Sequence, residues 1–307
     1  MPENRLFPPE GLRSPAAFTI DSLREAADSG EILEAVPLRC DPEHTLHFSL
    51  DGIAARMPRH QAVAPWISGA DREIAVLSRV GKPTCFTVTA VHADARGAPV
   101  ALLSRRRAQE TAMDFLEHLT PGMILTCRVT RLESFGAFVD IGCGIVAILP
   151  IERISVSRIS HPGQRLREGQ KILAAVYSLD RERRRVTMTL RELLGTWMEN
   201  ASRFRPGETV RGIVRSVQPY GCFVELTPNL SGLSDVREDL EPGDAVSVFI
   251  RSIRPERMKV KLQVIERLPP LPEPEPLTYQ ITDGTLERWV FSPPGCEKTV
   301  ETVFTDP

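Results

Sequence analysis

Hydrophobic and polar residues alternate over short runs along most of the chain. Val, Ile, Phe and Thr recur at every second position in runs of roughly five to eight residues bounded by Gly, Pro or Asp, as in half-buried β-strands. Residues 106–118 and 190–204 depart from this period and predict short helices. A capping-box pattern beginning at Ser22 predicts another helix that ends near Gly30. The pattern therefore predicts a strand-dominated chain with helical connections.

An internal repeat divides most of the chain into three units. Residues 122–146 and 207–226 match at an offset of 85 (207 − 122), with Phe-Gly-x-Phe in one copy and Tyr-Gly-x-Phe in the other. A second shared block follows at 168–190 and 242–264, and a weaker third copy lies at 30–107. Units of this length are too long for solenoid repeats and indicate tandem domains. Their short antiparallel strands predict three small five-stranded barrels.

Alternation along one strand of each copy predicts an aromatic ring on the outer face of the barrel. Val139 and Ile141 share one side of their strand, and Phe138 and Asp140 share the other. Because an unpaired carboxylate is costly to bury, we expect Phe138 and Asp140 to face outward. The second copy repeats the pattern, with Val224 and Leu226 inward and Phe223 and Glu225 outward.

Basic side chains accompany these rings on the predicted outer faces. Rings beside cations suit single-stranded nucleic acid, because bases stack on the rings while cations follow the phosphates. The pattern favours Arg128, Phe135, Phe138, Arg211, Arg215, Tyr220, Phe223, Lys259 and Lys261 as binding residues. The alternative for each strand Phe is an ordinary place in the core. The run Asp180–Arg185 is either a solvated turn that Asp180 caps or a contact to phosphate.

Charge is distributed unevenly, although the chain carries 38 basic and 40 acidic residues. Residues 122–194 carry 12 basic and 7 acidic groups, a net +5, whereas residues 269–307 carry 2 and 7, a net −5. Local fields rather than the total charge decide which ligand a surface attracts. The near-neutral total therefore excludes a uniformly basic protein but leaves a basic central unit that suits RNA.

The remaining composition indicates an intracellular protein without a bound metal or cofactor. None of the six cysteines forms C-x-x-C, and no Cys/His cluster has zinc spacing. No apolar run approaches the roughly 20 residues of a membrane helix, and the N-terminus lacks a signal-peptide pattern. We therefore expect a cytoplasmic protein with no membrane partner and no small-molecule substrate.

These motifs resemble the RNA-binding domain of the ribosomal protein S1 family. The matching pieces are Phe-Gly-Ala-Phe-Val-Asp, a Gly-Ile-Val-x-Ile-Leu-Pro strand, Glu-Gly-Gln-Lys-Ile and Asp-Arg-Glu-Arg-x-Arg-Val. The resemblance is strong over 120–192, good over 205–265 and weak over 30–107. The order of the pieces is also similar to that of short S1-like proteins of clostridial Firmicutes. The resemblance implies a five-stranded OB-fold barrel in each unit.

The same resemblance implies RNA contacts at positions that this sequence fills unequally. In the middle copy they correspond to Phe135, Phe138, Asp180 and Arg185, whereas a family His is replaced by Pro150. In the last copy the matching residues are Tyr220, Phe223 and Lys259, and Arg254 stands at the Asp position. The first copy has Glu43 and Leu46 where the two rings belong. We expect that copy to contact protein or to pack on its neighbour.

The resulting domain prediction is an all-β-dominated chain of three tandem OB-fold barrels, the first degenerate, joined by short helices. The expected segments are an N-terminal extension at 1–29, the degenerate barrel at 30–107, a helical linker at 108–118, an RNA-binding barrel at 119–192, a second linker at 193–204, a second RNA-binding barrel at 205–268, and a Pro-rich spacer with an acidic tail at 269–307.

Three function classes follow from this organisation. The first is a non-catalytic protein that binds single-stranded RNA, acting on mRNA at the small ribosomal subunit. The second is a protein-interaction adaptor of the ribosome or of an RNA-processing complex, suggested by the degenerate first copy and the acidic tail. The third, an enzyme, is disfavoured because no carboxylate cluster, phosphate loop or nucleophile–base pair stands out.

Overall fold

Strands dominate the computed structural model, which describes residues 7–14, 16–64, 70–116, 118–270 and 274–305. The helices are α1 Ile20–Ser29, α2 Arg59–Ala62, α3 Ala70–Leu77, α4 Arg105–Leu116 and α5 Trp197–Ala201. The strands are β1 Ile32–Ala35, β2 Arg39–Cys40, β3 Leu46–Leu50, β4 Ile53–Met57, β5 Thr84–Ala93, β6 Pro99–Ser104, β7 Ile124–Glu133, β8 Gly136–Asp140, β9 Val146–Pro150, β10 Lys171–Asp180, β11 Arg185–Thr189, β12 Thr209–Gln218, β13 Gly221–Thr227, β14 Leu230–Ser234, β15 Ala245–Arg254, β16 Lys259–Arg267, β17 Arg288–Val290 and β18 Glu301–Val303.

The middle and last copies each form a closed five-stranded barrel. The strand orders are β10-β11-β9-β8-β7 and β12-β13-β14-β16-β15, the same circular order in both. In each barrel the third strand pairs in parallel with the fifth: β9 with β11 and β14 with β16. The expected class of tandem OB-fold barrels is therefore confirmed, and the repeat in the sequence is a repeat in topology.

The first copy is an open six-stranded version of the same sheet. Its order is β1-β5-β6-β4-β3-β2, so β1 and β2 form the two edges. These two short strands together take the place of one barrel strand, and Pro37 lies between them. Proline has no N–H to donate and is poorly tolerated within a sheet. The expected first five-stranded barrel is thus split along its first strand.

Helix α1 begins earlier than the sequence pattern suggested. Thr19, not Ser22, is the N-cap, and Ser22 is the third helical residue of the capping box. The helix ends as expected at Gly30, which adopts a left-handed conformation with φ of 71°. Its buried face carries Leu23 and Ala26, which join the hydrophobic core of the first copy.

Contacts divide the chain into two compact units. The N-terminal unit comprises the described residues of Met1–Leu119 together with Thr126–Arg128 and Asp140–Val146. The C-terminal unit comprises Thr120–Leu125, Val129–Val139 and the described residues of Ala147–Pro307. Most of the middle barrel thus belongs to the same unit as the last barrel.

The C-terminal tail packs into the core of the C-terminal unit. Trp289 and Phe291 are buried with Leu193 and with the core of the last barrel. Gly122 and Leu286 hold the tail closely, since the N–H of Leu286 donates to the Gly122 carbonyl. A Cβ on Gly122, whose φ is +85°, would lie 1.8 Å from the Leu286 carbonyl oxygen. None of the helices in the described part of the chain combines the length and apolarity that a membrane-spanning helix requires.

Candidate nucleic-acid interface

Each closed barrel carries a pair of aromatic rings around a tight turn. The rings of Phe135 and Phe138 meet edge to face, with centroids 5.9 Å apart and an interplanar angle of 86°. Tyr220 and Phe223 repeat the arrangement at 6.2 Å and 89°. Phe135 is 55% exposed and Tyr220 is 66% exposed. The repeated motif therefore builds the same pair of perpendicular rings twice.

A glycine inside each turn allows this geometry. Gly136 has a φ of +157°, and a Cβ on it would lie 2.5 Å from the carbonyl oxygen of Leu149. Gly221 has a φ of +149°, and its Cβ would lie 2.3 Å from the Ser234 carbonyl oxygen. Only glycine combines this backbone conformation with so close an approach of the next strand. The Gly of each aromatic motif thus places the two rings.

Phe138 and Phe223 are half-buried rather than fully outward-facing. The exposed ring of each pair stands against the edge or face of its partner, which reduces the partner's contact with water. The aromatic surface that stays exposed in each barrel is therefore contributed by both rings of the pair. The expectation that the strand Phe points fully outward therefore changes, because it shares its platform with the more exposed ring of the turn.

One exposed lysine lies in register with a ring of the last barrel, and a second lies two residues before it. Phe223 faces Leu233 across β13 and β14, and Leu233 faces Lys261 across β14 and β16. Residues that face each other across paired strands project to the same side of the sheet. Lys261 is exposed, as is Lys259, which pairs with Arg254 at the end of the β15–β16 hairpin. Phe223, Leu233 and Lys261 thus form a row across the outer face.

The turn between β10 and β11 presents several arginines beside Asp180. The Asp180 carboxylate accepts a hydrogen bond from the Arg183 N–H at 2.9 Å and pairs with the Arg183 guanidinium at 3.7 Å. Arg185 is exposed and faces Asp180 across the strands. Asp180 therefore caps the turn and forms its ion pair with Arg183.

The three other arginines of the sequence-based set lie in different surroundings. Arg128 belongs to the N-terminal unit, where its guanidinium carbon is 3.2 Å from the position of a Cβ on Gly11. Arg211 is exposed and donates to the Pro269 carbonyl. The side chain of Arg215 is 7% exposed and forms a two-pronged pair with Glu225 at 2.8 and 3.0 Å. This buried pair gives Arg215 a role in structure that needs no RNA.

The two carboxylates expected beside the rings on the solvent face are in fact buried. Asp140 accepts hydrogen bonds from the N–H groups of Glu10, Gly142 and Gly144. Burial and the neighbouring Glu10 carboxylate raise the pKa of Asp140 to about 7. Glu225 lies between Arg165 and Arg215. Burial opposes ionisation of Glu225, but hydrogen bonds and charge from the two arginines hold its pKa below the usual range.

Sequence reasoning missed a buried ion cluster in the N-terminal unit. Glu10 accepts from Arg105 at 2.8 and 3.1 Å and from Arg79 at 2.7 Å, and it also accepts the Cys85 N–H. The partners are 69 to 95 residues apart in the chain. No local pattern could have indicated these pairs. In the same unit Leu46, at one ring position of the first copy, is fully buried, whereas Glu43 is exposed.

Comparison with known proteins identifies the middle barrel. Residues 118–191 match the family described as the S1 RNA binding domain. This range contains Phe135, Phe138, Asp180 and Arg185. The middle barrel is therefore similar to the S1 RNA binding domain, and the resemblance derived from its motifs is confirmed.

The chain is also similar to small-subunit ribosomal proteins of the S1 type. It is 30% identical over 203 residues to the small ribosomal subunit protein bS1 homolog of Bacillus subtilis, covering 60% of this chain and 53% of that protein. It is 32% identical over 187 residues to bS1 of Leuconostoc lactis, covering 55% and 43%. The chain thus spans about half the length of the curated relatives it matches.

One solved structure aligns with much of the chain at low overall similarity. A multidomain protein with nucleic acid binding domains from Streptococcus pneumoniae aligns over 77% of this chain and 73% of its own length, at 13% identity and a TM-score of 0.26. The family match and the curated relatives together relate this chain to RNA-binding proteins of the small ribosomal subunit.

Proposed function

We propose that this chain is a non-catalytic protein that binds single-stranded RNA, acting on mRNA at the small ribosomal subunit during translation in the cytoplasm. The observation that carries the proposal is the pair of perpendicular rings that recurs in both closed barrels. Aromatic faces accept any base, because every base has a π-face to stack. Sequence selectivity is therefore low, and unstructured strands are preferred to duplexes.

Exposed cations support the same proposal. Arg185 in the middle barrel and Lys259 in the last barrel occupy equivalent positions of the repeat, 74 residues apart (259 − 185), and both are exposed. Lys261 lies in register with Phe223. Cations that neutralise phosphates give binding a dependence on salt, with a slope of about −0.7 per contacted phosphate for single strands. Phe135, Phe138, Tyr220 and Phe223 stack bases, and these cations follow the backbone.

Two binding barrels on one chain raise affinity without new contacts. Once one barrel holds a strand, the second meets the same strand at a high effective concentration. The RNA-binding residues that we propose are the four rings, Arg185, Lys259 and Lys261. Asp180 holds the turn that carries Arg185, and Arg128 and Arg211 are additional cations outside this group. Arg215 supports the structure of the last barrel through its buried ion pair with Glu225.

The second candidate function is an adaptor that binds protein through the first copy. Val36 and Leu38, which flank the proline between β1 and β2, are exposed apolar residues, and Leu38 is 65% exposed. The two positions that hold the rings in the other copies are occupied here by Glu43, which is exposed, and by Leu46, which is buried in the core. Its surface therefore suits a protein partner better than RNA.

Co-sedimentation with small ribosomal subunits distinguishes the two candidates. If RNA mediates the association, raising the salt from 50 to 300 mM or adding single-strand-specific nuclease should release the protein from the pellet. Leu38→Ser, a surface substitution in the first copy, should leave that association unchanged. Association that resists both salt and nuclease, and that Leu38→Ser abolishes, would contradict the RNA proposal and favour the adaptor.

A further inference from the structure

A cavity of about 340 Å³ lies within the C-terminal unit, away from the ring pairs of both barrels. One side comes from Gln164 and Arg165 of the middle barrel, and another from β12 and β13 of the last barrel. Helix α5 with the residues after it and the proline-rich segment 274–278 complete the wall. Its volume is at the lower end of the range of small-molecule sites. The sequence contains no motif that points to it.

The charges around the cavity do not balance. Arg165, Arg203 and Arg211 line it together with Glu225 and Glu275. Glu225 is already paired with Arg215 as well as with Arg165. The side chains of Arg165, Arg215 and Glu225 are buried and carry a net charge of +1, whereas Arg203, Arg211 and Glu275 are exposed. Burying charge is costly unless an opposite charge accompanies it, so the cavity favours an anion.

One buried donor in this wall lacks a partner. The side chain of Arg165 is 7% exposed, and its Nε has no hydrogen-bond partner among the described residues. Its Nη2 donates to Glu225. A guanidinium offers five N–H donors in a fixed plane that matches the oxygens of a phosphate group. Arg165 thus has a donor that no described residue satisfies, although Nε itself has almost no accessible surface.

Much of the rest of the wall is apolar and suits a flat organic group. Phe204, Ile213 and Leu226 are partly buried and line the cavity with three prolines. Asn200 is fully engaged, because its amide donates to the Leu194 and Thr196 carbonyls and its Oδ1 accepts from Thr227. The arginines therefore provide the polar contacts to the ligand, and the remaining surface can hold a base and a sugar.

We propose that this cavity binds a nucleoside monophosphate, either as a free nucleotide or as the phosphorylated end of an RNA strand. A phosphate monoester carries a charge close to −2 at neutral pH, which complements the excess of positive charge at this wall. The phosphate contacts Arg165 and the exposed Arg203, and the base packs against Phe204. This site is separate from the ring faces and does not depend on them.

Calorimetric titration of the full chain with adenosine 5′-monophosphate at low salt tests the site. Adenosine and inorganic phosphate, titrated separately, should each bind at least about tenfold more weakly than the nucleotide, because each lacks half of the interactions. Arg203→Gln should weaken nucleotide binding about tenfold, the size typical of losing a hydrogen bond to a charged group. Arg205→Gln, an equally exposed arginine two residues away that does not line the cavity, should not change it.

Two further variants sharpen the test. Arg165→Lys keeps the charge but removes Nε, and it should weaken binding of the nucleotide. Glu275→Gln removes a carboxylate beside Arg165 and should tighten binding. An oligouridylate with a terminal phosphate, compared with the same strand ending in a hydroxyl, shows whether the site takes an RNA end. Preference for the phosphorylated strand or for the free nucleotide supports the site and shows which of the two is its ligand.

The proposal is overturned if the nucleotide produces no binding heat at millimolar concentration. It is also overturned if inorganic phosphate or adenosine binds as tightly as the nucleotide, or if Arg203→Gln and Glu275→Gln both leave the affinity unchanged. Retention of RNA binding by the ring faces in that case would leave the proposed RNA-binding function intact.

Discussion

Replacing Phe138 and Phe223 together with Ala should weaken binding of a single-stranded oligouridylate by at least about thirtyfold. Each base–ring stack contributes roughly 1–3 kcal/mol, so the loss of one stack per barrel removes at least about 2 kcal/mol. Fluorescence anisotropy with a labelled oligouridylate measures the change. The effect should persist at higher salt, because stacking, unlike phosphate contact, releases few ions.

Controls separate loss of stacking from loss of fold. Phe138→Tyr with Phe223→Tyr retains both rings and should retain affinity. Phe135→Ala with Tyr220→Ala removes the two exposed rings, whose contribution to the core is smaller, and should also weaken binding. If both alanine pairs bind RNA as the unchanged chain does, while circular dichroism shows them folded, the stacking assignment is wrong.

The second large effect is expected from Glu225→Gln. This substitution leaves the guanidinium groups of Arg165 and Arg215 buried without a full counter-charge, although each is only 7% exposed. Breaking one side of a buried ion pair typically costs about 3–5 kcal/mol. Urea denaturation, followed by the fluorescence of Trp197 and Trp289, measures the free energy of unfolding of the C-terminal unit, whose core contains both residues.

A matched substitution and a triple variant complete this test. Glu266→Gln removes an exposed carboxylate on β16 of the same barrel and should change the free energy of unfolding by less than about 0.5 kcal/mol. Replacing Arg165, Arg215 and Glu225 with Met, Met and Leu removes the charges together and should restore much of the loss. A loss below about 1 kcal/mol for Glu225→Gln would show that the buried cluster is not structural.

The sequence was sufficient to predict what depends on local period and on the repeat. Alternation in runs such as Phe138–Ile141 identified strands, and the offset between Phe135 and Tyr220 identified two equivalent barrels. The tight turns at Gly136 and Gly221 are also evident from the motif, because a glycine between two aromatic residues indicates a close approach of the backbone to the next strand. These features involve residues that are close in the chain, so the pattern alone contains them.

Features that depend on distant partners could not be predicted. Asp140 was expected in water because its partner Glu10 lies 130 residues away, and Arg215 was assigned to RNA because Gln164 and Glu225 were not visible as its neighbours. The split of the first barrel at Pro37 had a local signal, a proline inside a strand pattern, which the weak repeat concealed.

Cross-linking of RNA to the two aromatic turns tests the central claim most directly. The full chain, bound to an oligouridylate that contains 4-thiouridine, is irradiated and digested with trypsin, and the cross-linked peptides are identified by mass spectrometry. Cleavage after Arg131, Arg153, Arg215 and Arg237 isolates the rings in peptides 132–153 and 216–237. The account predicts cross-links concentrated in both peptides and lost from each when its own rings are replaced. Cross-links confined to residues 16–116, with none in these two peptides, would contradict it.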